Sequence, residues 1–424
     1  MPKKELLLDD SICCSFCYSS SMNKVMDFGN VALAGGFLKN EQFHAEKLYP
    51  LRLYFCCDCF AVQVVDKIDA KLLFEDYFYF SSTIKTLQQH FISYANEVVK
   101  RFLVPEISTV VEFGCNDGIL LLPLADLNIN QLIGVDPATN VLESINDERV
   151  EVINDFFGDK VANEILIKYG LVDMVIANNV FAHVPDINNV TKSVFDLLAP
   201  DGVFIFEVHY LGNVLNNFQY DMIYHEHLYY YSLLSAINHF NRYSMTIFDV
   251  KLVPIHAGSI RFYVCKNESK HSNFISPEVE RLKKEEISLG FHLPETYKRF
   301  AIDIEERKVQ LMKLLNQLKA EGKSIAGYGA SGRANTIIQY CGINHSQVDY
   351  MIDDAPAKTG FFTPGSHFEI FPSSVLEMSE PPDYLLIFAW SFLQEISNRN
   401  KNYLAKGGRM IIPLPNIQVL ENPT

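Results

Sequence analysis

Short apolar runs alternate with helical patterns through the middle of the chain, from about residue 85 to residue 270. The runs cover residues 109–113, 131–135, 173–177 and 203–206. Strands that alternate with helices in this way are typical of a parallel sheet with helices packed on its faces. The pattern therefore predicts an α/β domain.

A second block of the same kind begins at Ser324. Its apolar runs cover residues 324–328, 348–352, 384–388 and 409–412. Between the two blocks, residues 277–321 are rich in Lys, Glu and Leu at helical spacing and are interrupted near residues 290–294. This stretch predicts a long solvated helix, or a pair of helices, that links two α/β domains.

The composition narrows the function classes. The chain has 424 residues and a net charge of −15, which disfavours non-specific binding to nucleic acid or to an anionic membrane. No stretch reaches the roughly 18 apolar residues that a membrane span needs. The N-terminal residues lack the apolar core of a signal peptide, so we expect a cytoplasmic protein.

Six of the nine cysteines lie in the first 75 residues. They include two CxxC pairs, Cys14 with Cys17 and Cys56 with Cys59. Four thiolates in two such pairs suit tetrahedral zinc, so the spacing predicts a structural zinc site. A redox CxxC is the weaker alternative, because neither pair follows the strand-to-helix pattern of redox motifs. Cys13 and Cys57 are additional thiols.

A glycine-bearing turn follows the first strand of the middle block. It has the spacing E-x-G-x-x-x-G, formed by Glu112, Gly114 and Gly118 with Asn116 and Asp117 between them. Glycines let the backbone approach a ligand closely. The turn differs from the GxGxxG of dinucleotide sites. Because the sulfonium cofactor S-adenosylmethionine (SAM) has no pyrophosphate, its turn can be acidic, and this spacing is typical of class I methyltransferases.

Further polar residues follow the next strands in the order that a SAM site requires. Asp136 is placed to accept the ribose hydroxyls, Asp155 to accept the adenine amino group, and Phe156 to pack on the adenine ring. Asn178 and Asn179 end the fourth strand, where ligands of open α/β sheets bind. Each piece alone could be an ordinary turn, but the four together predict SAM binding.

Residues 224–227 read Tyr-His-Glu-His and lie beside an aromatic run. If this segment is extended, His225 and His227 share one face and Glu226 takes the other, whereas a loop would relax that division. Two chemistries fit these side chains. They could bind a divalent metal, or they could abstract a proton and stabilise the resulting anion, as methylation of carbon beside a ketone requires.

These motifs together resemble the bacterial nucleotide-sugar C-methyltransferases, which make branched-chain deoxysugars such as mycarose and tetronitrose. The resemblance covers essentially the whole chain. It rests on the two CxxC pairs and on residues 112–118, 178–186, 224–227, 327–330, 353–358, 363–367 and 388–390.

The resemblance implies a class I methyltransferase Rossmann-like α/β domain, flanked by an N-terminal zinc-binding module and a C-terminal Rossmann-like α/β domain. The implied boundaries are 1–75 for the zinc module, 76–272 for the methyltransferase domain, 273–322 for a helical linker and 323–424 for the C-terminal domain. The C-terminal domain would help to bind the nucleotide sugar. The protein would be a monomer or a small homo-oligomer.

The resemblance also implies a reaction, C-methylation of a TDP- or GDP-linked 4-keto-6-deoxy sugar. His227 would be the general base at carbon 3, with Tyr224 and Glu226 positioning the sugar and supporting the enolate. His183 would line the same pocket, and His225 would contact the substrate. An N-terminal tyrosine also belongs to such a site, and Tyr79 is preferred over Tyr77. Methylation at carbon 5, O- or N-methylation of another metabolite, and a non-enzymatic zinc-bearing module are the alternatives.

The C-terminal block contains a literal GxGxxG, formed by Gly327, Gly329 and Gly332. Alone it would predict a dinucleotide site. With the resemblance, it predicts that the sugar's pyrophosphate binds at a helix N-terminus beside Gly329, with Arg333 and Lys358 as nearby cations. Members of the family more often carry Lys near the position of Arg333. A purely structural turn is the alternative.

Overall fold

The N-terminal part of the protein is a small antiparallel sheet. The computed structural model describes residues 12–74, 80–378 and 380–421. The first elements are strands β1 (Met22–Ala32), β2 (Leu48–Cys56) and β3 (Val62–Val64), followed by helix α1 (Ala70–Phe74). β2 pairs with both β1 and β3 in the antiparallel direction.

The middle region alternates strands and helices, as its apolar runs predict. Its strands are β4 (Thr109–Phe113), β5 (Gln131–Val135), β6 (Val150–Ile153), β7 (Val172–Asn178), β8 (Leu198–His209), β9 (Tyr229–Tyr230), β10 (Met245–Val253) and β11 (Ser259–Lys266). Its helices are α2 (Lys85–Phe102), α3 (Leu121–Asp126), α4 (Thr139–Leu142), α5 (Asp159–Tyr169), α6 (Ile187–Leu197), α7 (Leu211–Asn216) and α8 (Leu233–Asn241).

Seven of these strands form one sheet, in the order β10-β11-β8-β7-β4-β5-β6. The strands from β4 to β8 pair in parallel, whereas β10 and β11 add an antiparallel edge. The strand order reverses between β4 and β7, and ligands of open α/β sheets bind in the crevice at such a point. The predicted class I methyltransferase fold is confirmed.

Two helices follow the sheet, α9 (Pro277–Ser288) and α10 (Pro294–Ala320). The predicted break at residues 290–294 separates them. They are solvated on only one side, because α9 packs on β10 and α8 while α10 packs on β1. Leu311 and Leu315 of α10 are buried.

The C-terminal region is a second α/β unit with a six-stranded sheet, in the order β14-β13-β12-β15-β16-β17. All its pairings are parallel except the last. Its strands are β12 (Ile325–Tyr328), β13 (Met351–Ile352), β14 (Ile370–Phe371), β15 (Tyr384–Ile387), β16 (Arg409–Ile412) and β17 (Gln418–Leu420). Its helices are α11 (Gly332–Cys341), α12 (Leu393–Arg399) and α13 (Lys401–Ala405).

The three regions are joined by strand pairing and by a shared core. β9 adds to the N-terminal sheet by pairing with β3, although it belongs to the middle of the sequence. Gln339 of α11 accepts a hydrogen bond from the backbone N–H of Ala32 at 2.8 Å. One buried apolar cluster contains Phe28, Val175 and Ile337, which come from the three regions in turn. Along the described part of the chain, no helix has the length and apolar character needed to span a bilayer.

Candidate active site

One continuous cavity of about 980 Å³ opens at the carboxyl ends of β4 and β7. It continues to the C-terminal region, where Ser331, Gly332 and Arg333 line it. Of the residues predicted to bind SAM, those lining it are Glu112, Gly114, Asn116, Asp136, Asp155, Phe156, Asn178 and Asn179. Of the predicted catalytic residues, Tyr224, His227 and His183 line the same cavity.

The turn after β4 forms one wall of the cavity. Gly114 has φ +66°, and a Cβ there would lie 2.6 Å from Cβ of Val180. A glycine is therefore required by both the backbone conformation and the space. Glu112 points into the cavity from the preceding strand, and its Oε1 accepts a hydrogen bond from Nδ2 of Asn178 at 3.0 Å.

Several buried acceptors at this end have no hydrogen-bond partner within the described residues. They are Glu112 Oε2, Asn178 Oδ1 and Asn179 Oδ1. Burial, reinforced by the nearby carboxylates of Asp136 and Asp117, raises the pKa of Glu112 to about 8. Unpartnered acceptors beside a carboxyl group with a raised pKa fit a cationic ligand that carries N–H donors. SAM is such a ligand, because its ammonium supplies N–H groups and its sulfonium a second positive charge.

Other predicted cofactor residues hold the turn itself. Asp136 accepts hydrogen bonds from the N–H groups of Asn116 at 3.0 Å and Ala138 at 2.9 Å. Asp117 accepts one from the N–H of Ser82 at 2.9 Å. Asp117 and Gly118 are therefore part of the turn but do not face the cavity.

The two residues predicted to bind adenine, Asp155 and Phe156, both line the cavity. Oδ1 of Asp155 accepts from the N–H of Phe156 at 2.8 Å, and its Oδ2 pairs with Lys160 at 2.7 Å. The hydrogen bond from Lys160 lowers the pKa of Asp155. Phe157, which sequence reasoning missed, also lines the cavity and stacks on Phe113 with ring centroids 4.5 Å apart.

Tyr224 and His227 meet because they are the first and last residues of a turn. The N–H of His227 donates to the carbonyl of Tyr224 at 3.0 Å, and the two ring centroids are 4.1 Å apart. Nδ1 of His227 lies 2.8 Å from the carbonyl oxygen of Met222, which can only accept, so Nδ1 carries the proton. Nε2 is left as an acceptor for the Tyr224 hydroxyl at 3.0 Å.

His227 is a neutral imidazole at neutral pH. Burial lowers its pKa to about 4, against the hydrogen bond to Met222, which raises it. The lone pair on Nε2 accepts the Tyr224 hydroxyl in this structure and becomes available to a substrate when that hydroxyl turns to another acceptor. This is the arrangement of a general base with an adjacent donor.

The other two residues of the turn point away from the cavity. Nε2 of His225 donates to the carbonyl of Pro50 on β2 at 2.9 Å. Glu226 lies beside Gly35, and burial raises the pKa of Glu226 to about 7. The segment is a turn and not an extended strand, so the condition under which His225 and His227 would share a face is not met. Neither His225 nor Glu226 lines the cavity.

Two further histidines surround His227 that sequence reasoning did not identify as site residues. His209 ends β8, and its ring centroid is 5.1 Å from that of His227. His256 lies in the β10–β11 loop, with its ring 5.9 Å from that of His209. His183 contacts His227 from another side, at 5.1 Å. The sequence could have indicated His209 as a site residue, because it ends a predicted strand at the carboxyl side. The loop position of His256 gave no such indication.

The C-terminal rim carries Arg333, whose charge is already paired. Its Nε lies 2.8 Å from Oδ2 of the buried Asp221, and its guanidinium lies over the Trp390 ring. Lys358 does not line the cavity, because its ammonium binds the carbonyl of Ala330 at 2.7 Å and Asp353 at 3.1 Å. Gly329 lies outside the lining as well.

Tyr77 and Tyr79 fall outside the described residues, so the choice between them stays a prediction. The described chain ends at Phe74 on one side of this gap and resumes at residue 80. Phe74 lines the cavity and stacks on His183, with ring centroids 5.6 Å apart.

The four predicted zinc ligands converge in the N-terminal sheet. The sulfur atoms of Cys14, Cys17, Cys56 and Cys59 all lie within 4.8 Å of one another. Of the residues that the structure describes, they are the only group of three or more Cys, His, Asp or Glu side chains close enough to hold a metal ion. This outcome also disfavours a metal at residues 224–227.

The closest sulfur contacts join the two CxxC pairs to each other. They are 3.5 Å between Cys14 and Cys59 and 3.5 Å between Cys17 and Cys56. A tetrahedral ion at the centre of four thiolates requires such cross-contacts, whereas a redox pair would lie within one CxxC. The four thiolates fit a structural zinc ion.

Three family models match successive parts of the chain. Residues 14–74 match a zinc binding domain, residues 87–244 a methyltransferase domain, and residues 254–415 a C-methyltransferase C-terminal domain. The matches follow the three structural regions in order. They agree with the geometry of the cysteine cluster, so the N-terminal module binds zinc.

Similar proteins include solved structures that cover less than half of the chain. A methyltransferase in complex with the Haloferax volcanii Trm112 activator is 16% identical, covers 43% of this chain and 93% of that chain, and has a TM-score of 0.34. Magnesium protoporphyrin IX methyltransferase from Synechocystis PCC 6803 with bound SAM is 15% identical, covers 42% of this chain and 79% of that chain, and has a TM-score of 0.32.

A relative along the whole chain is the C-methyltransferase NovU of Streptomyces niveus. It is 34% identical over 408 residues, which span 96% of this chain and 96% of NovU. The chain therefore belongs to the C-methyltransferase family and is a SAM-dependent, zinc-binding enzyme.

Proposed function

We propose that the enzyme methylates carbon 3 of a TDP- or GDP-linked 4-keto-6-deoxy sugar, in branched-chain sugar biosynthesis. The observation that carries the proposal is that one cavity joins the separate parts of the site. It brings the acidic SAM end, the Tyr224–His227 pair and the Ser331–Arg333 rim into one space. A substrate with a reactive sugar at one end and a diphosphate at the other fits such an elongated arrangement.

The base explains why carbon is the acceptor. A C–H group beside a ketone must lose a proton before it can be methylated, whereas an oxygen or nitrogen acceptor already carries a lone pair. The neutral His227, with its lone pair on Nε2, is suited to take that proton. Bound SAM supplies the electrophilic methyl group and a nearby positive charge.

The enolate that results needs a donor at its oxygen. The Tyr224 hydroxyl lies 3.0 Å from Nε2 of His227, so it is within reach of a carbonyl beside the carbon being deprotonated. We assign it this role, with His183 as a second wall of the sugar pocket. Glu226 does not line the cavity, and we propose that it stabilises the turn that carries Tyr224 and His227. Tyr79 stays the preferred tyrosine from the segment before residue 80.

The C-terminal domain would hold the diphosphate. Ser331 caps α11 by accepting from the N–H of Ala334 at 3.3 Å, and the N-terminus of α11 faces the cavity. Free N–H groups and the helix dipole at such a terminus favour an anion. We therefore divide the chain into a zinc module at 1–75, a methyltransferase domain at 76–272, a linker at 273–322 and a nucleotide-binding domain at 323–424.

The test is mass spectrometry of the purified enzyme with SAM and a panel of TDP- and GDP-linked 4-keto-6-deoxyhexoses. Wild type should add one methyl group to one sugar, and His227→Ala should lower the rate by at least about 100-fold, as loss of a general base does. His44→Gln, an exposed histidine in the N-terminal module, is the matched control and should retain the rate.

Deuterium wash-in separates carbon methylation from the alternatives. With S-adenosylhomocysteine in place of SAM, wild type in D₂O should exchange the proton at carbon 3, and His227→Ala should not. SAM binding without methylation of any keto sugar would contradict the proposal and favour an oxygen or nitrogen acceptor. Exchange and methylation at carbon 5 would overturn the assignment to carbon 3.

A further inference from the structure

The loop between β10 and β11 has an unusual backbone. Three successive residues adopt positive φ, namely His256 at 50°, Ala257 at 65° and Gly258 at 112°. Two of them are not glycine, and left-handed conformations of such residues persist only where the surroundings impose them. Strain of this kind concentrates at functional sites.

The surroundings here do impose the conformation. The carbonyl of Ala257 accepts hydrogen bonds from Gln219 Nε2 at 3.1 Å and Asn213 Nδ2 at 3.4 Å. The carbonyl of Gly258 accepts from the N–H of Tyr210 at 3.2 Å. The result is that the His256 side chain is directed into the cavity.

His256 is the outer member of a row of imidazoles. The ring centroids of His227 and His209 are 5.1 Å apart, and those of His209 and His256 are 5.9 Å apart. His227 is only 6% exposed, whereas His256 is half-buried. Rings at these separations can exchange a proton through one bridging water. The row therefore leads from the buried base toward solvent.

The charges around the row keep its three histidines neutral and differ at the outer end. Burial lowers the pKa of all three histidines, and the Arg333 guanidinium lowers each further, so all three favour the neutral form. The neighbouring histidines act in the same direction, including His183 on His209 and His90 on His256. Glu207 raises the pKa of His256 alone among the three. His256 is therefore the one histidine of the row for which a nearby carboxylate favours the protonated form.

We propose that His209 and His256 relay the abstracted proton from His227 to solvent, an inference that rests on the proposed function. The C–H bond at carbon 3 breaks, and the proton goes to Nε2 of His227 while the electron pair stays in the enolate. His227 keeps its Nδ1 proton on the Met222 carbonyl and passes the abstracted proton on from Nε2. His209 and His256 then each accept a proton on one nitrogen and release one from the other. Solvent receives the proton, and His227 returns to its neutral form.

The experiment compares proton exchange with methyl transfer in the same variant. Exchange is measured as deuterium wash-in at carbon 3 with S-adenosylhomocysteine bound, and methyl transfer as a single turnover with SAM. His256→Asn is the variant of choice, because Asn tolerates left-handed backbone. Wash-in should fall at least about tenfold while single-turnover methylation stays within about twofold of wild type.

Further variants and a rescue sharpen the test. His209→Gln should behave like His256→Asn, and the exposed His44→Gln should leave both rates unchanged. Added imidazole should restore wash-in in His256→Asn, because the missing group lies at the open end of the row. Restoration of that kind identifies a proton carrier, since a packing role would not respond to imidazole.

Two outcomes would overturn the relay while leaving the proposed function in place. One is a wild-type rate of wash-in in His256→Asn. The other is an equal loss of wash-in and of single-turnover methylation without rescue, which would make His256 a positioning residue. Absence of any methylation by wild type on the sugar panel would instead count against the proposed function itself.

Discussion

The turns after β4 and after β12 have similar backbone geometry, but their side chains suit ligands of opposite charge. Each follows a buried parallel strand and contains a glycine with positive φ, Gly114 at 66° and Gly329 at 95°. A Cβ at Gly114 would lie 2.6 Å from Val180, and one at Gly329 would lie 2.7 Å from Ala389. In both turns the chain passes so close to a neighbouring segment that only glycine fits.

The side chains beside each glycine differ. The first turn gathers carboxylates and amide oxygens, and Glu112 Oε2 is left without a partner among the described residues. The second leads directly into α11 and presents the helix N-terminus with Arg333. The comparison teaches that the backbone decides how closely a ligand can approach, whereas the neighbouring side chains decide the charge of the ligand.

The largest expected effect comes from a reciprocal pair of substitutions. Gly114→Ala should raise the Kd for SAM by about 100-fold, because left-handed strain in alanine costs ~1–3 kcal/mol and the overlap with Val180 adds to it. Gly329→Ala should leave SAM binding intact and weaken binding of the nucleotide diphosphate instead. Isothermal titration calorimetry with each ligand measures both.

Each variant is the folding control for the other. A variant that retains the ligand of the opposite turn is folded, whatever it loses at its own. If Gly329→Ala weakened SAM binding as strongly as Gly114→Ala does, the two turns would not serve separate ligands. The division of the cavity into a cationic and an anionic end would then be wrong.

A moderate effect is expected from pH. The pKa of Glu112 is raised to about 8 by burial, so its carboxyl is mostly protonated at pH 6 in the ligand-free enzyme. Cationic SAM favours the carboxylate, and binding therefore releases a proton. SAM affinity should rise by roughly tenfold or more between pH 6 and pH 8 and level off above that, since the limiting slope is about tenfold per pH unit.

The controls for this pH dependence are two neighbouring carboxamide substitutions. Glu112→Gln should bind SAM more weakly at high pH and show a flat profile. Asp155→Asn should keep the slope, because the hydrogen bond from Lys160 lowers the pKa of Asp155 and keeps it ionised throughout. Calorimetry in buffers of different ionisation enthalpy measures the released proton directly. A flat wild-type profile would show that Glu112 does not meet the cation.

The sequence predicted the parallel strands best. The bounds of β4, β5 and β16 agree with their apolar runs, because strands buried on both faces read as continuous apolar stretches. β9 was not predicted, since a strand of two residues has no periodic signal and its partner β3 lies far away in sequence. Pairing between strands that are distant in sequence depends on how the whole chain packs, so the local sequence does not indicate it.

The site shows the same division between local and distant information. The acidic turn and His227 were predicted because their chemistry lies within short motifs. The direction of His225 was missed, because a turn and a strand of four residues read alike in sequence. The pairing of Arg333 with Asp221 joins two regions of the chain, and nothing near either residue indicates it.

The smallest expected effect tests the cation of the second turn. Arg333 lies over Trp390 and makes contacts at 2.8 Å to Asp221 and at 3.3 Å to Ser391. Lysine keeps the charge but cannot make these contacts together, because its ammonium is a point charge on a flexible stem. Arg333→Lys should therefore raise the KM for the nucleotide sugar by about threefold to tenfold, without changing the Kd for SAM.

Lys358→Gln is the matched comparison, since Lys358 is bound to Ala330 and Asp353 outside the cavity lining. A larger rise in KM for Lys358→Gln than for Arg333→Lys would move the diphosphate away from the start of α11 and toward the loop that carries Lys358.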